Sequence, residues 1–349
     1  MLFKSNKLIS LDVGASSIKM VELDVSRDTA TLRSFGFAQT PGEAITGGEI
    51  SDSTAISETI KAIMSEIKTR RKNVAVGIWG SAIIVKKITI PRVEVNLLDE
   101  QIKWEAEQYI PFDIKEISLE YHLLKSSAAG DNMDVLLIAA KRGLVYRFVD
   151  LVEAAGLSCQ IVDVSSFALA NCFSFNYGSR TDCVAVINIG SQITNFVVVD
   201  VGEVIFSRDI PFGGHNYTTD ISRDMGVSLE EAESLKMSLA QAQQVPEELA
   251  GIIQGTTEIF VEEIQNSFEF YRATTTRNPI TQFYVTGGGI GLPGLVDTIS
   301  QVTGLNYDVL NPFLKVKFKK SQFSSEYIEQ IKPYSAVAIG LALRKVDDT

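Results

Sequence analysis

Histidine is almost missing from this chain: His122 and His215 are the two in 349 residues. Catalytic or metal clusters built on imidazole are therefore nearly excluded. Cysteine is also scarce. Cys159, Cys172 and Cys183 show no metal-ligand spacing and cannot all pair, which fits a reducing compartment. No apolar run approaches the roughly 18 residues of a membrane span, and residues 1–7 lack the apolar centre of a signal peptide. Basic residues number 32 against 43 acidic ones, a net charge of −11 that disfavours nucleic acid and anionic lipid surfaces as partners. No low-complexity linker divides the chain, so about two closely packed domains are expected. With 45% hydrophobic residues, they can bury large cores.

What the chain does contain is a repeat. Asp12-Val-Gly-Ala-Ser-Ser-Ile-Lys-Met-Val-Glu-Leu and Asn188-Ile-Gly-Ser-Gln-Ile-Thr-Asn-Phe-Val-Val-Val each pass from an apolar strand through a glycine turn with small hydroxyl residues into a second apolar strand. The tip of such a hairpin can hold phosphate through backbone N–H groups and hydroxyls. In the first copy, Asp12 beside Gly14 can hold a hydrated magnesium ion. Ser16 and Ser17 can donate to phosphate oxygens, and Lys19 adds a point charge. The second copy offers Asn188, Gly190, Ser191 and Thr194. One Asp-x-Gly hairpin is commonplace, but two of one pattern describe a cleft that grips a nucleotide from both sides.

Other segments point to the same ligand. Gly287, Gly288 and Gly289 follow a strand and precede a helix, so their backbone can lie against a phosphate or a flat ring. Glu233 and Lys236 share a helix face. Alone they read as a solvated ion pair; in this context they read as a grip on ribose and base edge, with Gly213 and Gly214 approaching the same ligand. Trp104 falls off the main apolar face of its helix. Packing against a neighbouring subdomain is the simpler explanation, and an anchor for a partner protein the sharper one.

Periodicity predicts strands over 7–13, 18–24 and 30–39, a helix over 54–70 and a strand over 73–78. Residues 82–164 then read β-α-β-β-α-β, the order of a ferredoxin-like unit, with a Gly-Asp-Asn turn at 130–132. Strands over 183–189, 195–200 and 204–210 precede helices over 217–225, 229–239 and 247–272. A buried strand over 283–286, a helix to residue 302 and a final helix over 332–344 complete the reading.

Together these segments resemble the actin-like ATPase superfamily. Residues 12–23 resemble its first phosphate motif, 188–199 its second and 284–294 its adenosine motif. The early position of the inserted unit is similar to the cell-division protein FtsA, as are residues 210–221 followed by 231–236. Within that branch, QIKWEAEQYIPF (Gln101–Phe112), Val162–Leu169 and Glu263–Tyr271 resemble the PilM family of type IV pilus assembly proteins. The likeness spans nearly the whole chain, and QIKWEAEQYIPF is its specific signal.

The resemblance implies an α/β, actin-like fold of duplicated ribonuclease H-like domains with an inserted ferredoxin-like subdomain as in FtsA. The implied divisions are a first-lobe core over 1–81, completed by 165–182 and 333–349, and an insert over 82–164. A second-lobe core over 183–215 and 280–332 carries a helical subdomain over 216–279. It further implies a cytoplasmic protein that binds ATP or ADP with magnesium, Asp12 holding the metal through water. The family partner is the N-terminal cytoplasmic segment of PilN, bound in a groove beside the insert, which places the protein peripherally at the inner membrane. Coupling to the pilus motor ATPases is implied, and self-association is left open. The chain stops soon after its last helix without the amphipathic tail of FtsA, so direct membrane insertion is not expected.

Two positions depart from the superfamily pattern. Asn188 stands where the second phosphate motif usually begins with Asp, and Ser165 where PilM relatives often carry Glu. An amide can accept a hydrogen bond from a metal-bound water but cannot act as a base. Water positioning is central to phosphoryl transfer, so weak or absent ATP hydrolysis is expected, with Asp163 directed elsewhere and ATP serving as a structural ligand. The alternatives are an actively cycling ATPase, a small-metabolite kinase lacking a convincing base, and an FtsA-like cell-division filament.

Overall fold

The computed structural model describes residues 8–26, 29–46, 48–125, 131–178, 180–240, 244–275 and 279–346. Lys7 at the start of the first predicted strand, Gly130 of the predicted turn and the last three residues lie outside them. The chain opens with the hairpin of β1 (Ile9–Val13) and β2 (Ser17–Val25), to which β3 (Ala30–Gln39) adds antiparallel. A two-residue hairpin, β4 (Ile45–Thr46) and β5 (Glu49–Ile50), leads into α1 (Ser53–Ile67). The Asp52 carboxylate caps that helix by accepting from the Ala55 N–H. Its Ile56, Ile60 and Ile63 stripe is buried, as the spacing predicts. β6 (Asn73–Ile78) then lies parallel to β1.

The insert follows: β7 (Ile83–Pro91), α2 (Val95–Tyr109), β8 (Ile117–Leu123) and β9 (Asn132–Lys141). Its sheet is antiparallel with order β7-β9-β8, covered by Leu98, Ile102 and Ala106 of α2. The β-α-β-β-α-β reading is corrected at its last two elements, because α3 (Arg142–Ala154) and β10 (Ser158–Val164) return to the first lobe. β10 pairs parallel with β6, and α3 buries Phe148, Leu151 and Val152 in the same cluster as α1. A parallel strand edge at β6 and an apolar stripe on α3 give these elements more to bury against than the small sheet offers.

The second half runs α4 (Ser165–Tyr177), β11 (Cys183–Ile189), β12 (Thr194–Asp200), β13 (Glu203–Ile210), α5 (Gly214–Met225), α6 (Leu229–Leu239), α7 (Glu247–Thr274), β14 (Ile280–Thr286), α8 (Leu295–Thr303) and β15 (Asn306–Val309). The two large sheets repeat one design. β10, β6 and β1 are parallel and β2 and β3 antiparallel; β15, β14 and β11 are parallel and β12 and β13 antiparallel. β16 (Val316–Lys317), expected with the second lobe, instead extends the first sheet beside β3.

The final helix predicted over 332–344 is shorter, and a helix that was not predicted precedes it. α9 (Ser325–Ile331) ends before Pro333, which forces a tight 3-10 turn, and α10 (Ala336–Ala342) follows it. α4 and α10 sit between the two sheets in one cluster that includes Val21 and Leu23 of β2 and Val184 and Val197 of the second sheet. The helices cross so closely that a Cβ on Gly340 would lie 1.7 Å from the Ala168 carbonyl oxygen.

Candidate functional site

The turns of the two repeated hairpins face a cleft of about 420 Å³ between the lobes, within the size range of small-molecule sites. On the first hairpin, Asp12 and Lys19 are cross-strand neighbours, and their charged groups meet at 3.2 Å with side chains only 10% exposed. Lys19 Nζ also donates to the Ser17 carbonyl, while the Gly14 N–H closes the turn on that same oxygen. Gly14, Ser16 and Ser17 line the cleft beside them. A Cβ on Gly14 would press on the Ser17 oxygen at 3.1 Å and on Lys19 Nζ at 3.3 Å, so glycine keeps this turn tight.

The second hairpin supplies Asn188, Gly190 and Ser191 from the opposite wall. Its turn is braced from behind by the start of α5: the Gly214 N–H donates to Gly190 O at 3.0 Å and the His215 N–H to Ser191 O at 2.7 Å. That bracing explains Gly213, which does not line the cleft. A Cβ there would lie 2.5 Å from the carbonyl oxygens of both Gly190 and Ser191. Thr194 is also outside the lining, because its buried hydroxyl donates to Phe212 O at 2.8 Å. Both support the loop rather than face a ligand.

At the far end, Lys236 Nζ donates to Glu233 Oε2 at 2.7 Å, Thr218 Oγ1 at 2.8 Å and Gly214 O at 3.0 Å. Gly287, Gly288 and Gly289 form the adjacent wall. They have a packing reason as well as a ligand-facing one. Gly287 adopts φ +97°, and Cβ atoms on Gly287 and Gly289 would each come within 2.2 Å of Ile189. Trp104 is not in the cleft and not packed: it is 59% exposed on the outer face of α2, so the simpler expectation for it is overturned. Leu98, Ile102 and Ala106 are the residues that α2 buries against the sheet.

The cleft also contains residues that sequence reasoning missed. Trp79 follows β6 and donates its indole N–H to Val13 O at 2.8 Å, tying the first hairpin down. Gln192 bridges the lobes, with Oε1 accepting from the Gly48 N–H and Nε2 donating to Ile45 O. Phe37 and Tyr334 approach edge-on-tilted at 6.0 Å along one wall. Trp79 had a usable signal, since a large aromatic directly after a buried strand marks a sheet end; the others become neighbours only through the fold. Ser165 lines the cleft, 3% exposed, and its hydroxyl has no hydrogen-bond partner among the described residues. Asp163 is absent from the lining. Its carboxylate accepts from the Val164 N–H and pairs with Arg344 at 3.2 Å. Behind the second hairpin, burial pushes the Asp209 carboxyl above the ordinary carboxylate range, opposed by donation from the Gly80 N–H and the Asn195 amide.

Among the described residues, no group of three or more His, Cys, Asp or Glu could hold a metal ion alone, and no helix is long and apolar enough to cross a membrane. Comparison with known proteins adds to this geometry. A family profile described as "Type IV pilus assembly protein PilM" matches residues 10–346. The solved structure of a PilM–PilN type IV pilus biogenesis complex contains a chain 27% identical to this one, with a TM-score of 0.86 and 98% and 99% of the two chains covered. FtsA of Bacillus subtilis (strain 168) is 23% identical over 356 residues, covering 87% of this chain and 78% of FtsA. MreB5 of Spiroplasma citri, solved with ADP, shares the fold at a TM-score of 0.52 and 13% identity, with 95% and 94% covered. The fold is thus that of the actin-like ATPases.

Proposed function

The chain belongs to the PilM family of type IV pilus assembly proteins, and from that premise we propose that it is an ATP-binding scaffold of the pilus inner-membrane assembly complex. The observation that carries this reading is the pair of repeated hairpins facing one cleft, with Asp12 and Lys19 on one wall and Asn188, Gly190 and Ser191 on the other. The residues fit a magnesium nucleotide. Lys19 and the serine-lined turn offer cationic and hydrogen-bonding contacts to phosphate. Glu233 and Lys236 stand where ribose and base would lie. With no protein cage for a metal among the described residues, magnesium would be carried on the nucleotide phosphates and its own waters, which Asp12 and Asn188 can accept from.

Turnover is slow or absent in this reading. Asn188 cannot take a proton, Ser165 offers a hydroxyl where a carboxylate would orient water, and Asp163 is engaged by Arg344. ATP then acts by favouring the closed pair of lobes, across which Gln192 already reaches. We further propose that the partner is the N-terminal cytoplasmic segment of a PilN protein, seated in a groove beside the insert. That contact places the protein at the inner membrane and links it to the pilus motor.

Calorimetry tests both parts. The full chain is titrated with ATP and magnesium, and then, with and without nucleotide, with a synthetic peptide of a PilN N-terminus. Nucleotide binding and a peptide affinity that rises with nucleotide are expected. No heat with any adenine nucleotide removes the first part; a peptide affinity indifferent to nucleotide removes the coupling.

A further inference from the structure

Three strands of the second sheet place Asn188, Asn195 and Asp209 side by side: Asn188 pairs with Asn195 across β11 and β12, and Asn195 with Asp209 across β12 and β13. Their side chains form a hydrogen-bonded row. Asp209 Oδ2 accepts from the Gly80 N–H at 2.8 Å, and Oδ1 accepts from Asn195 Nδ2 at 2.7 Å. Asn195 Oδ1 accepts from Asn188 Nδ2 at 2.9 Å. The row starts at the backbone just ahead of the insert and ends in the cleft, which both asparagines line.

With Asp209 ionised, the order of donors in this row is fixed from its Gly80 end. A backbone N–H can only donate, and an ionised carboxyl can only accept; burial works against ionisation of Asp209, while donation from the Gly80 N–H and the Asn195 amide favours it. Asn195 must therefore turn its NH2 to Asp209, which leaves its carbonyl for Asn188. Asn188 must turn its NH2 to Asn195, so its own Oδ1 is left facing the cleft, with no hydrogen bond from any described residue. Carboxamide orientation is normally ambiguous from shape alone; here the Gly80 donor together with an ionised Asp209 removes the ambiguity.

We propose that Asp209 is a positioning residue that, through Asn195, presents the oxygen rather than the NH2 of Asn188 to the cleft, and so lets an asparagine accept from a water of a magnesium nucleotide. The proposal rests on the nucleotide reading above. It explains how an amide serves at a place that would otherwise favour a carboxylate.

Asp209→Asn makes a sharp test because the row can invert with every bond kept. Asn at 209 must still offer its oxygen to Gly80, so its NH2 faces Asn195. Asn195 then presents its oxygen to that NH2 and its own NH2 to Asn188, and Asn188 turns its NH2 to the cleft. Calorimetry on the full chain measures ADP affinity with magnesium and with EDTA for the parent, D209N and N188D/D209N, with urea midpoints alongside. In D209N the magnesium-dependent gain in affinity is expected to fall on the order of tenfold, the loss of one hydrogen bond to a charged group. Affinity in EDTA and the urea midpoint stay near parental. In N188D/D209N the gain returns, because Asp at 188 accepts from Asn195 and still offers oxygen to the cleft.

An unchanged magnesium gain in D209N overturns the proposal. So does an equal loss with and without magnesium that N188D does not rescue. A D209N chain that fails to fold contradicts a row able to invert with its bonds intact, and overturns it as well. A parent that binds no nucleotide removes the nucleotide reading itself and the proposal with it, an outcome distinct from the others.

Discussion

The Asp12–Lys19 pair gives the most direct measure of how dry the first hairpin is. Lys19→Met keeps the length of the side chain and removes its charge. At 3.2 Å the attraction is about 5 kcal/mol at an effective dielectric constant of about 20, much of it offset by the desolvation of both groups. Removing one partner is the costly change, because it strands a buried carboxylate; such changes cost about 3–5 kcal/mol. Lys19→Met is therefore expected to lose about 3 kcal/mol or more of stability in magnesium-free buffer. Asp12→Asn should lose less, since the ammonium still has the Ser17 carbonyl. The double variant, with both charges gone and both shapes kept, should be more stable than Lys19→Met alone. Urea unfolding followed by circular dichroism reads this out, and a loss of 3 kcal/mol appears as a midpoint shift of about 1 M at a slope of about 3 kcal/mol/M. The three variants close a double-mutant cycle. A Lys19→Met loss below about 1 kcal/mol, or losses that simply add in the double variant, would refute the view of a buried, coupled pair.

Three further outcomes are expected. Trp79 and Trp104 are the two tryptophans of the chain; nucleotide should change the emission of a Trp104→Phe variant, whose remaining indole lines the cleft, and leave that of Trp79→Phe unchanged. The Arg180 guanidinium, donating to both oxygens of Asp182 at 2.7 and 2.8 Å, holds that carboxyl at about 2. This depressed value means the pair's stabilisation is complete above about pH 4, and is lost as pH falls through about 2. Arg180→Gln should therefore move the acid-unfolding midpoint upward in a circular-dichroism titration, and an unmoved midpoint would count against the pair. Gly340→Ala forces a methyl against the Ala168 carbonyl at the crossing of α4 and α10 and should cost about 3 kcal/mol or more by urea unfolding, since backbone cannot yield as a side chain does.

The repeat, the amphipathic helices and the glycine run were legible because each is a local pattern. Ile56, Ile60 and Ile63 recur at helical spacing and are buried on α1. The hairpins at Asp12 and Asn188 carry their turn signal within four residues, and fourteen of the residues picked for the cleft by pattern alone line it together. α4 gave no such signal. It buries Ser165, Ala168, Leu169, Cys172 and Phe173 around its whole circumference, so no polar face marks its period. The fate of β10 was equally hidden, since an apolar run does not say which of two sheets will take it.

Sequence by itself determined the duplicated design, the chemistry offered at the two turns and the family, because those depend on residue type at short spacing. Tertiary structure alone decided that α4 and α10 join the lobes. It also decided that Gln192 spans the cleft and that Asp209 stands third in a row beginning at Asn188. The physical reason is the same in each case: a hydrogen bond or a close helix crossing is set by which elements lie next to each other, and partners such as Gln192 and Gly48, 144 residues apart, carry no mark of it in the chain.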